Sequence, residues 1–150
     1  MRLFVFLKVI LFSLLIIISS ASAQTPTSIK PFTSDGCSSF PDGTLAEKNL
    51  WLKCCVEHDK SYWIGGTKQQ RLDADVALKQ CVESVGKPRI AEMMLAGVRV
   101  GGSPYWPTKF RWGYGWEYPK GYGQLSTQEK QQATEAWNSY LQSQTIKLKK

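Results

Sequence analysis

Cys54-Cys55-Val56-Glu57-His58-Asp59, followed by Tyr62, gathers two covalent anchor points, a proton acceptor and a hard oxygen ligand into one short stretch. His58 is the only histidine among 150 residues, so any imidazole base working near neutral pH must be this one. Packing alone does not account for the combination. If the stretch is helical, residues four apart share a face, which stacks Cys54 with His58 and Cys55 with Asp59.

Helix signals frame it on both sides. Thr44 and Glu47 have capping-box spacing, which predicts a helix starting there and running through the cysteine–histidine stretch to Gly65-Gly66. Thr67 and Gln70 repeat the pattern and open a second helix that ends near Gly86. With so few residues between them, the two helices are expected to pack antiparallel. Ile90, Met93, Met94, Gly97 and Val98 trace the apolar face of a short helix after Pro88. Ser126 and Glu129 cap a last helix, with Ala133, Ala136, Trp137, Tyr140 and Leu141 on its apolar side. The expected fold class is therefore mainly α. Residues 24 to 43 read as a loop, and there is no internal repeat.

Cys37, Cys54, Cys55 and Cys81 are an even set, which implies two disulfides in an exported chain; four thiolates on zinc are the competing reading. Adjacent Cys54 and Cys55 are poor partners for each other, so each chooses between Cys37 and Cys81. Pairing Cys54 with Cys81 and Cys55 with Cys37 is the more productive arrangement, because it turns His58 toward the second helix and Asp59 toward the loop. Along a helix His58 lies about 6 Å beyond Cys54, Tyr62 about 12 Å beyond it, and Asp75 about 9 Å before Cys81. Asp75 thus falls at a level between His58 and Tyr62, where it can accept hydrogen bonds from both; Asp73 is the second option. The loop Ser34-Asp35-Gly36-Cys37-Ser38-Ser39-Phe40-Pro41-Asp42-Gly43 presents turn carbonyls and the Asp35 carboxylate. Oxygen-only ligation of this kind suits calcium rather than zinc, and an ordinary Asp/Gly turn is the alternative.

These residues resemble the secreted phospholipase A2 superfamily, over about residues 34 to 85. Cys54-Cys55-Val56-Glu57-His58-Asp59 with Tyr62 is similar to its Cys-Cys-x-x-His-Asp helix signature. Asp75, with Cys81 six positions on, looks like the aspartate and cysteine of its third helix. Ser34-Asp35-Gly36-Cys37-Ser38 looks like the calcium loop of bacterial members. The resemblance implies hydrolysis of the sn-2 acyl ester of phospholipids, with the membrane surface as partner. His58 would activate water, Asp75 and Tyr62 would orient His58, and Asp59 with oxygens of Asp35, Gly36 and Ser38 would hold calcium. The chain departs from animal members in allowing only two disulfides, in a short interval between the helices, and in residues 101 to 150, which the resemblance leaves unassigned. A non-enzymatic membrane- or cell-wall-binding module on the same scaffold is the alternative function.

The first 23 residues read as a signal peptide: Arg2 and Lys8, an apolar run from Leu3 to Ile18, and Ala21-Ser22-Ala23 before Gln24. An uncleaved anchor is the other reading of that run. The expected product is a secreted or periplasmic single domain, residues 24 to 150. Its formal charge falls from +7 to +5 as Arg2 and Lys8 leave. A basic domain is drawn to anionic surfaces such as acidic lipid headgroups; no nucleic acid is expected as partner.

Phe110, Trp112, Tyr114, Trp116 and Tyr118 alternate strictly, which predicts an extended strand with one aromatic face, flanked by Tyr105, Trp106 and Tyr122. Such a stripe covers the helix pair as core, or forms an interfacial surface where Lys109, Arg111 and Lys120 meet lipid phosphates, or stacks on sugars.

Overall fold

The structure, a computed structural model, describes residues 28–148. The expected signal peptide lies outside the described residues. Four helices follow one another: α1 (Leu52–Ile64), α2 (Lys68–Ser84), α3 (Pro88–Gly101) and α4 (Thr127–Leu148). Among the described residues there is no strand, and no helix is long and apolar enough to cross a membrane.

Two disulfides, Cys54–Cys81 (Cα–Cα 5.6 Å) and Cys37–Cys55 (5.0 Å), fasten α1 on two sides. Cys54, early in α1, meets Cys81, late in α2. Tyr62, late in α1, meets Arg71 and Asp75 in the first half of α2. All four cysteines are oxidised, which excludes the four-thiolate zinc reading. The Thr67–Gln70 capping box is complete, each side chain bonding the other's backbone N–H at 3.2 and 2.8 Å. Pro88 opens α3, where its missing N–H costs nothing. Trp51, Leu78, Val82, Ala91 and Met94 close the core around the disulfides.

The Thr44–Glu47 signal does not start a helix. Glu47 N–H does donate to Thr44 Oγ1 (3.0 Å), but Thr44 N–H donates forward to Glu47 O (2.9 Å), a direction no helix uses. Buried Trp51 explains why. Its backbone N–H bonds Asp42 O and its indole bonds Pro41 O at 2.6 Å, so residues 42 to 51 close on themselves and α1 begins at Leu52.

The expected strand at 110–118 is also absent, and its aromatics do not share a face. Trp112 and Trp116 are each 1% exposed, whereas Phe110 and Tyr118 are 42% and 46% exposed. Gly113, at φ +73°, breaks any extended run, and the segment folds as turns over the end of α1. The last four carbonyls of a helix have no partner within it. Here Ser61 O accepts from Gly65 N–H, Tyr62 O from Gly113 N–H, Trp63 O from Gly115 N–H, and Ile64 O from the Trp116 indole at 2.7 Å. The Trp112 indole takes Gly66 O at 2.9 Å. Gly115 admits no side chain, since a Cβ there would lie 2.5 Å from the Trp63 ring. The two tryptophans are thus core and helix cap in one, while Phe110 and Tyr118 stay outside.

On the far side, α4 lays Ala133, Ala136, Trp137 and Tyr140 against Phe32 and Trp63. The ring of Phe32 meets Trp63, Trp137 and Tyr140 edge-on. Leu141, expected on that face, is instead exposed. Ser126 and Glu129 bond each other's backbone N–H ahead of α4, as their spacing predicts.

The cap makes a stability prediction. Trp116→Phe keeps an aromatic ring but orphans the partly buried Ile64 carbonyl, so urea unfolding under oxidising conditions should show a loss of about 1 kcal/mol or more. Tyr118→Phe, at an exposed ring, should stay within about 0.5 kcal/mol. Equal effects would mean that the indole bond is not what matters.

Candidate active site

Helix spacing and the two disulfides set where α1 aims its polar side chains. His58 is buried, and its Nε2 stands 3.1 Å from Asp75 Oδ1. The Tyr62 hydroxyl donates to the same oxygen at 2.7 Å, and the His58 and Tyr62 rings lie 4.2 Å apart. A carboxylate only accepts, so the proton of the neutral imidazole sits on Nε2 and the lone pair on Nδ1. Burial, reinforced by the Asp75 charge, pushes the Tyr62 phenol well above its ordinary pKa, so it stays a donor. Asp73, the second option, is exposed and bonded to Gln69 instead.

Asp75 has no solvent exposure, and its other oxygen meets a partner the sequence reading missed. Arg99 Nε lies 2.9 Å from Asp75 Oδ2, although its N–H is not aimed along the contact, so the pairing is one of charge. Arg71 bonds the Tyr62 hydroxyl (3.1 Å), the Tyr122 hydroxyl (2.7 Å) and the carbonyls of Val98 and Arg99. Arg71 stands four residues before Asp75 on one helix face, a spacing that could have drawn attention to it. Arg99 carried no such signal.

Asp59 faces the loop, as Cys55 does. Its Oδ2 accepts from Ser34 Oγ at 2.6 Å. Burial pushes its carboxyl up to about 7; the Ser34 bond opposes this, and the nearby Asp35 charge adds to it. Asp35 moves the other way, held low first by the Ser38 hydroxyl at 2.5 Å and then by Lys109, whose Nζ is 3.5 Å away. Gly36 adopts φ +78°, and a Cβ there would lie 2.3 Å from Asp42 Oδ1, which accepts from Cys37 N–H. Ser38 and Ser39 also take positive φ, 24° and 65°. The loop is tightly made, with the Ser34 and Ser38 hydroxyls turned toward the carboxylates.

His58 and Asp59 stand on the wall of a cavity of about 340 Å³ that is otherwise largely apolar, lined by Phe40, Leu78, Met94 and Val98 among others. A smaller cavity of about 140 Å³ is lined by Ser34, Asp35, Lys109 and Tyr114. Ser38, Asp59 and Phe110 belong to both walls. Among the described residues no three His, Cys, Asp or Glu side chains converge as a metal cluster. A cation here would draw on the carboxylates of Asp59 and Asp35 and the hydroxyls of Ser34 and Ser38, hard oxygen donors of the kind calcium takes. The mutual repulsion of Asp59 and Asp35 is what such an ion would relieve.

Of the three cations expected to meet phosphates, Arg111 is buried, bonds Trp116 O at 2.7 Å and stacks on Tyr118. Lys120 pairs with Glu129 beside the Trp116 ring. Lys109 alone of the three is exposed, and it stands at the loop.

Asp59 binds a proton in the folded chain that it releases on unfolding, between its ordinary 3.8 and about 7. Its contribution to stability is therefore complete below pH 3.8 and is lost as pH rises through 7. In chelator, the melting temperature should fall between about pH 4 and 7 and level off above that, and Asp59→Asn should flatten the slope. An identical slope in the variant would show that Asp59 is not the titrating group. Comparison with family models, with curated proteins and with solved structures finds no match to this chain.

Proposed function

We propose that the chain is an exported, calcium-dependent hydrolase of the phospholipase A2 type, cleaving the sn-2 acyl ester of phospholipids with water activated by His58. One observation carries the reading: His58, backed by the buried carboxylate of Asp75, shares the wall of an apolar cavity with the loop-facing Asp59. Export is inferred from residues 1 to 23 and from two disulfides, which persist in oxidising compartments.

On this reading the antiparallel α1–α2 pair works as one device. His58 Nδ1 takes a proton from water as the oxygen attacks the ester carbonyl, and later returns it to the leaving alkoxide. Asp75 and Tyr62 hold the imidazole in the tautomer that presents Nδ1, and the Asp75 charge stabilises the imidazolium as it forms. Asp59, Asp35, Gly36 and Ser38 would hold calcium. When bound, calcium supplies positive charge for the developing oxyanion and for the substrate phosphate. The apolar cavity receives an acyl chain.

A second reading, a non-enzymatic membrane- or cell-wall-binding module, draws on the exposed Tyr105, Trp106 and Phe110. It expects binding that is indifferent to His58 and to calcium.

Hydrolysis of mixed-chain phospholipid vesicles separates the two. His58→Gln should lower kcat by about 10²- to 10⁴-fold, and Asp59→Asn should abolish the response to calcium. Turnover that survives His58→Gln would sink the mechanism. Met93 and Phe110 line the cavity yet are 59% and 42% exposed, so they stand at its mouth. Replacing both with serine should weaken vesicle binding by about tenfold or more at an unchanged melting temperature. Undiminished binding would place the lipid contact elsewhere.

A further inference from the structure

We infer that Arg99 is a positioning residue for His58, acting through Asp75. Asp75 is wholly buried, and its two oxygens face different neighbours. Oδ1 takes both His58 Nε2 and the Tyr62 hydroxyl from α1. Oδ2 takes neither, and its neighbour is Arg99 Nε, from α3, at 2.9 Å. Among the described residues neither Oδ2 nor Arg99 Nε has a hydrogen-bond partner, so the charge contact is what meets the buried Oδ2.

Arg99 is itself held in place. Its Nη2 bonds Leu72 O on α2 at 3.1 Å, and its own carbonyl accepts from Arg71 at 2.9 Å. Arg71 reaches Asp75 only indirectly, by donating to the Tyr62 hydroxyl. Arg99 is therefore the cation that lies directly against the carboxylate.

A buried carboxylate without a countercharge is unstable in its charged form, and one free to rotate can exchange its oxygens. The guanidinium on the Oδ2 side opposes both. It keeps Oδ1 aimed at His58 as a charged acceptor, which keeps the ring proton on Nε2 and the lone pair on Nδ1. A strap between α3 and α2 would be a purely structural role, and the Leu72 bond alone would serve it. The ion pair to Asp75 lies beyond that need.

The inference rests on the hydrolase reading only for its kinetic consequence, because the tautomer can be measured without any substrate. His58 is the only histidine, so its ring nitrogens give the only imidazole signals in long-range ¹H–¹⁵N spectra of the labelled, disulfide-intact chain. At a fixed alkaline pH where the ring is neutral, the wild type should show the Nε2–H tautomer. Arg99→Gln should populate the Nδ1–H form. Arg99→Lys, which keeps the charge without the full fork of bonds, should retain the wild-type tautomer. On vesicles, Arg99→Gln should lower kcat by about 10- to 100-fold with KM within twofold, and Arg99→Lys should recover most of the loss.

A wild-type tautomer in Arg99→Gln, with only a lowered melting temperature, would reduce Arg99 to a strap and overturn the inference. Should Arg99→Gln fail to fold, loss of the tautomer in a folded Arg99→Lys would overturn it equally. A tautomer shift in Arg99→Gln beside a wild type that hydrolyses no phospholipid would uphold the positioning role and remove the hydrolase reading.

Discussion

A carboxylate cut off from water has to be supplied with partners by the protein, and three helices are arranged to supply them to Asp75. α1 brings His58 and Tyr62, α2 carries the aspartate itself, and α3 brings Arg99. Arg71 ties the same hydroxyl to the end of α3 and to Tyr122. Because every one of these groups needs the others in register, helix packing and imidazole orientation are one problem with one solution. The Cys54–Cys81 bridge sets that register at the other end of the helix pair.

The second constraint is the open end of α1. A helix that stops at Gly65-Gly66 leaves carbonyls facing the interior, where water cannot satisfy them. The turn at 112–116 meets them with two backbone N–H groups and two indoles. This explains the composition of the stretch. Tryptophan provides bulk together with a donor, and alternate glycines let the backbone come close enough to bond.

Much of the helical plan could be read from the chain because it is encoded locally. The boxes at Thr67–Gln70 and Ser126–Glu129 need only neighbouring residues to work. The position of Asp75 opposite His58 followed from rise per residue once the cysteines were paired. Local signals failed where a distant contact prevailed. Thr44–Glu47 has a cap's spacing, but Trp51 is anchored to residues 41 and 42, so the same bond closes a loop. The alternation at 110–118 has the period of a strand, but its cause is glycine spaced between indoles, each answering a carbonyl some fifty residues earlier. Arg99 was invisible because an arginine near a helix end looks like any solvated charge until α3 is folded onto α2.

The cap on α1 also bears on the order in which the molecule can be completed. The bonds from Gly113 to Tyr62 and from Gly115 to Trp63 join the middle of the chain to its last third. As the polypeptide emerges from its amino end, the segment bearing His58 and Asp75 appears first but must wait, its helix end still hydrated, for residues 112–116 to arrive. The helix pair thus borrows the cap of its own open end from a segment that is synthesised after it.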